Sequence, residues 1–176
     1  MNQISTCYYH SPVGELLLGS LDGRLCLCDW RYRKGRDTVD QRIKTRLRAE
    51  YVERDDVVMD QTIEQLEAYF KGEREQFDIP LLLVGTEFQQ AVWLHLQEIP
   101  FGETASYMEL ALRMNNPKGV RAVASANGAN AISIIVPCHR IVGSNGELVG
   151  YAGGLDAKRK LLDLEGREPD PQGALF

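Results

Sequence analysis

Long apolar runs, a basic leader and internal repeats are all missing from this chain. No stretch approaches the ~20 apolar residues that a membrane-spanning helix needs, so no membrane partner is expected. The start, Met1-Asn2-Gln3-Ile4-Ser5-Thr6, has neither the basic nor the apolar region of a secretory leader, which points to the cytoplasm. Cysteine is scarce, at Cys7, Cys26, Cys28 and Cys138, and in that compartment these read as reduced thiols rather than a disulfide framework. An excess of positive charge is missing too: the formal net charge is −5, which at first weighs against nucleic acid. What is present is 44% hydrophobic and 26% charged residues over 176 positions, enough core for one large or two small domains without staples.

The charge is unevenly spread. Residues 104–160 carry seven basic and three acidic side chains, against twelve and eighteen before them. A local excess of this kind attracts a phosphate backbone while the acidic remainder limits non-specific adhesion. The same stretch holds the run Ile132-Ser133-Ile134-Ile135-Val136-Pro137-Cys138-His139-Arg140-Ile141-Val142. Its β-branched residues predict a buried extended segment over 134–136, which Pro137 stops, delivering Cys138 at a turn. A free thiol is only ~3% thiolate at neutral pH, so a nucleophilic cysteine needs a base, and His139 is adjacent. Taken alone, a Cys-His pair fits a buried structural cysteine better than a nucleophile.

Earlier in the chain, Cys7–His10, Glu15–Ser20 and Arg24–Trp30 read as strands of an antiparallel meander, with Asp22-Gly23 as a hairpin turn. Helical spacing is weak over Val39–Tyr51 and firm over Asp60–Phe70, with Asp60 as the predicted cap. Phe77–Leu81 reads as a last strand. Cys26 and Cys28, with Cys7, His10 or His95, make a poor zinc spacing, and no metal is expected. A boundary falls near residue 85, and Thr86 with Gln89 predicts a capping box opening a helix to Glu98. Thr104 or Ser106 begins a short helix broken at Asn115-Asn116-Pro117, and a second, small-residue helix covers Lys118–Asn127. The pair reads as a helix-turn-helix or as a plain helical hairpin. After the glycine-rich stretch 148–155, Asp156 predicts the cap of a last helix with Lys158, Arg159 and Lys160 outward and Leu161, Leu162 and Leu164 inward.

Pro137-Cys138-His139-Arg140 after a β-branched run resembles the active-site signature of the O6-alkylguanine-DNA alkyltransferases, also called methylated-DNA protein-cysteine methyltransferases. Gly85-Thr86-Glu87-Phe88-Gln89, Val92-Trp93, Ile99-Pro100 and Gly102-Glu103-Thr104 are similar to the same family. The resemblance implies an α+β protein: a small N-terminal antiparallel sheet with helices, ribonuclease-H-like, over 1–85, a mainly helical DNA-binding and alkyl-transfer domain over 86–168, and a tail over 169–176. It implies a monomer that binds double-stranded DNA containing O6-alkylguanine, flips the base, and transfers the alkyl group once to Cys138, with O4-alkylthymine as a further substrate and no cofactor. It assigns His139 and Glu165 to thiol activation through a water, Asn130 to the hinge before the cysteine, and Tyr107 to protonation of the leaving guanine. Arg121 would fill the gap left by the flipped nucleotide, with Lys118, Ser106, Ala122, Ala126 and Asn127 along the DNA. Val136, Pro137, Ile141, Tyr151 and Ala152, with Tyr107, would line the base pocket.

Two positions depart from the family pattern: Ala131 where many members have proline, and Ala152 where serine is frequent. Read singly, Tyr107 fits a core tyrosine, Asn130 a turn former and Glu165 a helix-end carboxylate. The competing functions are a non-catalytic alkylated-DNA sensor or helix-turn-helix regulator, which Cys138 argues against, and a cysteine hydrolase, for which no accompanying signature is present.

Overall fold

The computed structural model describes residues 1–166, so the tail expected at 169–176 lies outside the described residues. Contacts divide the chain into two units, Met1–Thr86 together with Ala131–Ser133, and Glu87–Asn130 together with the chain from Ile134 onward.

The first unit is a four-stranded sheet in the order β3-β2-β1-β4 with two helices. β1 (Asn2–Ser11), β2 (Gly14–Leu21) and β3 (Arg24–Trp30) form the expected meander, and Asp22 and Gly23 take the two positive φ values, 50° and 75°, of a tight hairpin turn. The sheet is mixed rather than wholly antiparallel. The helix expected over Val39–Tyr51 is α1, Arg36–Leu47, ended by Arg48 in the left-handed region, and the chain continues as β4, Ala49–Glu53, parallel to β1. A non-glycine stop concealed that boundary. α2 (Val57–Phe70) starts earlier than expected because Asp56, not Asp60, is its cap, accepting from the Met59 backbone N–H at 2.9 Å. Phe77–Leu81 is not a strand. Only Leu81 bridges to Leu25, since Pro80 has no N–H to contribute to a ladder.

The outer edge of β3 is closed by that bridge and by Ile132, where Cys28 N–H donates to Ala131 O at 2.8 Å and Ser133 N–H to Cys28 O at 2.7 Å. Fully buried Asp29 is compensated by Arg33 at 3.2 Å, Arg36 at 3.0 Å and the Ser133 hydroxyl at 3.4 Å. Ile4, Leu17, Leu27, Val39, Ile43, Ala49, Val84 and Ala131 form a continuous apolar core around these elements.

The second unit is helical around a two-residue parallel ladder. α3 (Glu87–Leu96) buries Val92, Trp93 and Leu96, and Trp93 Nε1–H donates to Ala126 O at 2.9 Å. A buried indole with its donor satisfied is an anchor whose truncation costs about 3–5 kcal/mol. β5 (Ala105–Ser106) pairs with β6 (Ile141–Val142), so the start of α4 (Tyr107–Arg113) is delivered beside the Cys138 segment. Ser106 and Glu109 close a reciprocal capping box on α4. Asn115 at φ 54° turns the chain, Pro117–Gly119 makes one tight 3-10 turn that includes Lys118, and α5 runs Val120–Gly128. The last helix, α6 (Leu155–Leu164), is capped by Gly154 at φ 91°, with Asp156 inside its first turn rather than at the cap. Among the described residues, no helix is long and apolar enough to cross a membrane.

Candidate active site

The run before the cysteine is not extended. Ile134 sits at φ 71°, a left-handed conformation costly for a β-branched side chain, and it is buried. From there the chain reaches Pro137 at φ −83°, ψ 62°, the centre of an inverse γ-turn in which Cys138 N–H donates to Val136 O at 2.8 Å. Asn130 Nδ2–H donates to the same carbonyl at 2.9 Å, tying the two ends of the loop. Cys138–Arg140 then form one 3-10 turn, in which Pro137 O accepts from Arg140 N–H at 3.0 Å and Cys138 O accepts from Ile141 N–H. Pro137 therefore turns the chain as expected, but the apolar residues before it are used to pack a bent loop and not to build a strand.

Cys138 is 4% exposed and His139 is fully buried. His139 Nε2 lies 2.8 Å from Glu165 Oε2, and its Nδ1 is buried with no hydrogen-bond partner among the described residues. Arg140 grips the other side of the same carboxylate, Nε to Oε1 at 2.8 Å and Nη2 to Oε2 at 3.1 Å, and sends Nη1 to Ile99 O at 2.6 Å. Burial alone would raise Glu165, but the hydrogen bonds from His139 and Arg140 outweigh it and hold the carboxyl at about 2. Burial pushes His139 below its usual value, against the pull of Glu165, so the ring is neutral. With Glu165 ionised and accepting, the proton of that ring sits on Nε2, and Nδ1 carries the lone pair.

The remaining residues divide by exposure. Val136, Pro137 and Ile141 are buried around the turn, and Tyr151 sets its ring edge-on to His139 with centroids 6.5 Å apart, next to half-buried Ala152. Tyr107, the first residue of α4, is half-buried. Burial raises its hydroxyl above its ordinary value, as does the neighbouring Cys138, while a hydrogen bond from Asn127 works the other way. On the α4–α5 pair, Arg121 and Ala122 are exposed on α5, Lys118 is exposed in the turn before it, and Ser106 caps α4. Ala126 and Asn127, expected on the same DNA face, are instead 3% and 8% exposed, because that side of α5 packs inward and takes the Trp93 hydrogen bond.

Two residues went unassigned in the sequence reading. Arg140 was visible in the motif, and its signal was a guanidinium inside an otherwise apolar run. Lys158, expected outward, is fully buried, its ammonium donating to Val149 O at 2.9 Å and Gly150 O at 3.2 Å, the loop just before Tyr151. The other thiols are unlike a nucleophile. Burial raises Cys7 to about 11 and Cys26 to about 12, and none of the four cysteines is disulfide-bonded.

Residues 87–167 match the model of the 6-O-methylguanine DNA methyltransferase DNA-binding domain, and residues 4–83 match that of the same family's ribonuclease-like domain. A Haemophilus influenzae methylated-DNA–protein-cysteine methyltransferase is 44% identical over 167 residues, 94% of this chain and 88% of that protein. The chain belongs to the 6-O-methylguanine DNA methyltransferase family. Another relative with the same name, from Methanosarcina acetivorans, is 45% identical over 158 residues, covering 90% of this chain and 96% of its own. The crystal structure of Mycobacterium tuberculosis OGT in complex with DNA superposes with a TM-score of 0.77 at 40% identity, covering 93% of this chain and 92% of that one. In this methyltransferase family member the α+β architecture is therefore shared across both units.

Proposed function

We propose that the protein repairs O6-alkylguanine, and O4-alkylthymine, in double-stranded DNA by moving the alkyl group to its own Cys138, once per molecule. The observation that carries the proposal is the state of His139: one nitrogen committed to an ionised Glu165, the other a buried lone pair, one residue from the cysteine. That imidazole takes the thiol proton through a water, and the Glu165 carboxylate stabilises the imidazolium that forms. The Cys138 sulfur attacks the alkyl carbon in line, the S–C bond forms, the C–O6 bond breaks, and its electron pair leaves with guanine. Tyr107 donates to the leaving base. The thioether has no route back, so each molecule acts once.

Reaching O6 requires the nucleotide to leave the stack. α5 enters the minor groove, exposed Arg121 occupies the gap, Lys118 and Ala122 lie along the backbone, and Tyr107, Val136, Pro137, Ile141, Tyr151 and Ala152 receive the base. The protein acts as a monomer in the cytoplasm, where the thiol stays reduced, and needs no cofactor. The decisive experiment is the intact mass after mixing with a duplex containing O6-methylguanine: a gain of one methylene, mapped to the Cys138 peptide, is expected. A bound lesion with no mass change would replace this reading with a non-catalytic sensor.

A further inference from the structure

Asn127 lies on α5, the helix that faces DNA in the proposed complex, yet its side chain points into the unit and is 92% buried. It hydrogen-bonds to the hydroxyl of Tyr107 at the head of the neighbouring α4. Its own Oδ1 is buried with no partner among the described residues, so the group that meets the tyrosine is the amide Nδ2–H. A phenol has one proton and accepts through its lone pairs. When a fixed N–H occupies a lone pair, the phenol cannot spend its proton on that neighbour and must direct it elsewhere. The β5–β6 ladder sets the start of α4 beside the segment that follows Cys138, and the Cys138 thiol lies near enough to the Tyr107 hydroxyl to raise it.

We infer that Asn127 is a positioning residue that orients the Tyr107 O–H toward the departing base and does not contact DNA. This rests on the alkyl-transfer reading above and adds to it the device that keeps the acid pointed correctly. As the C–O6 bond breaks, negative charge builds on the purine ring. The Tyr107 O–H donates to a ring nitrogen, and full transfer leaves a tyrosinate that the Asn127 N–H stabilises until solvent returns the proton. An acceptor at position 127 would do the reverse, drawing the phenol proton inward.

The test is a double-mutant cycle read as single-turnover rate constants at saturating O6-methylguanine duplex, with duplex Kd measured separately. Asn127→Leu should slow transfer by about five- to tenfold, the usual worth of one oriented hydrogen bond, with Kd unchanged. Asn127→Asp, of the same shape, should slow it further. In a Tyr107→Phe background neither substitution should slow the reaction again, because there is no phenol left to orient. Should the leucine variant not fold, Asn127→Ala carries the same cycle. Equal losses with and without the Tyr107 hydroxyl would make Asn127 a packing residue, and weaker duplex binding at an unchanged rate constant would make it a DNA contact. Either result overturns the inference. A wild-type protein that transfers nothing removes the alkyl-transfer reading and this inference together, whereas an active wild type with an additive cycle removes the inference alone.

Discussion

Glu165 Oε2 lies 2.8 Å from His139 Nε2, and both side chains are sealed from solvent. A carboxylate at the C-terminal end of α6 gains nothing from the helix dipole, so its place there is explained by what it holds. Glu165→Gln keeps the shape and removes the charge that favours imidazolium. We expect alkyl transfer to slow by about 10²-fold with lesion binding nearly intact, and part of the loss to return as pH rises toward the free-thiol pKa of about 8.5. A rate equal to wild type in a folded variant would leave thiol activation to another group.

The same pair predicts acid lability with a definite sign. His139 is depressed below 6.5 in the folded protein, so the unfolded chain binds its proton first and stability falls as pH drops through that value. Glu165 is held at about 2 from an ordinary 4.5, so its contribution is complete above 4.5 and is lost between there and about 2. Urea midpoints measured from pH 8 to 3 should decline in both windows, and Glu165→Gln should flatten the lower one.

Arg140 is the third member of the cluster, and its planar fork is what lets it hold both carboxylate oxygens while Nη1 reaches Ile99 O. Arg140→Lys keeps the charge but can neither fork nor reach all three acceptors. A loss of about 2–4 kcal/mol in unfolding free energy is expected, since a buried carboxylate and a buried carbonyl are left under-satisfied. A lysine variant as stable as wild type would show that charge alone suffices there.

Arg121 tests the flipping step. Because only a duplex must unstack its base, Arg121→Ala should slow repair of O6-methylguanine in duplex DNA by about tenfold or more while leaving transfer from free benzylguanine within about twofold. Equal losses on both substrates would place Arg121 in the pocket.

Several of these features were legible in the residues and several were not, for physical reasons. The hairpin at Asp22-Gly23, the cap at Ser106 and the inward face of α3 follow from local chemistry, and local chemistry is what a sequence displays. β4 was hidden because the helix before it stops at Arg48, whose positive φ no residue type announces, and because a five-residue edge strand pairs with β1 from 47 residues away. The bent loop over 134–136 was hidden because a β-branched run favours the extended state locally, and only tertiary packing and the Asn130 bond hold Ile134 at φ 71°. At the site, the cysteine, histidine and glutamate came from the motif and its resemblance. Lys158 sits three and four residues before buried Leu161 and Leu162, and Asn127 four after buried Val123, so both share the inward stripe of their helices, which their polar residue type conceals.

In the proposed reaction the protein itself is the acceptor and is consumed. Wild-type protein should be titrated with a several-fold excess of O6-methylguanine duplex and the repaired guanine counted at completion. A plateau is expected at one lesion repaired per molecule of protein, matched by one modified Cys138 and unchanged by longer incubation. Repair that continues past that equivalence would contradict it.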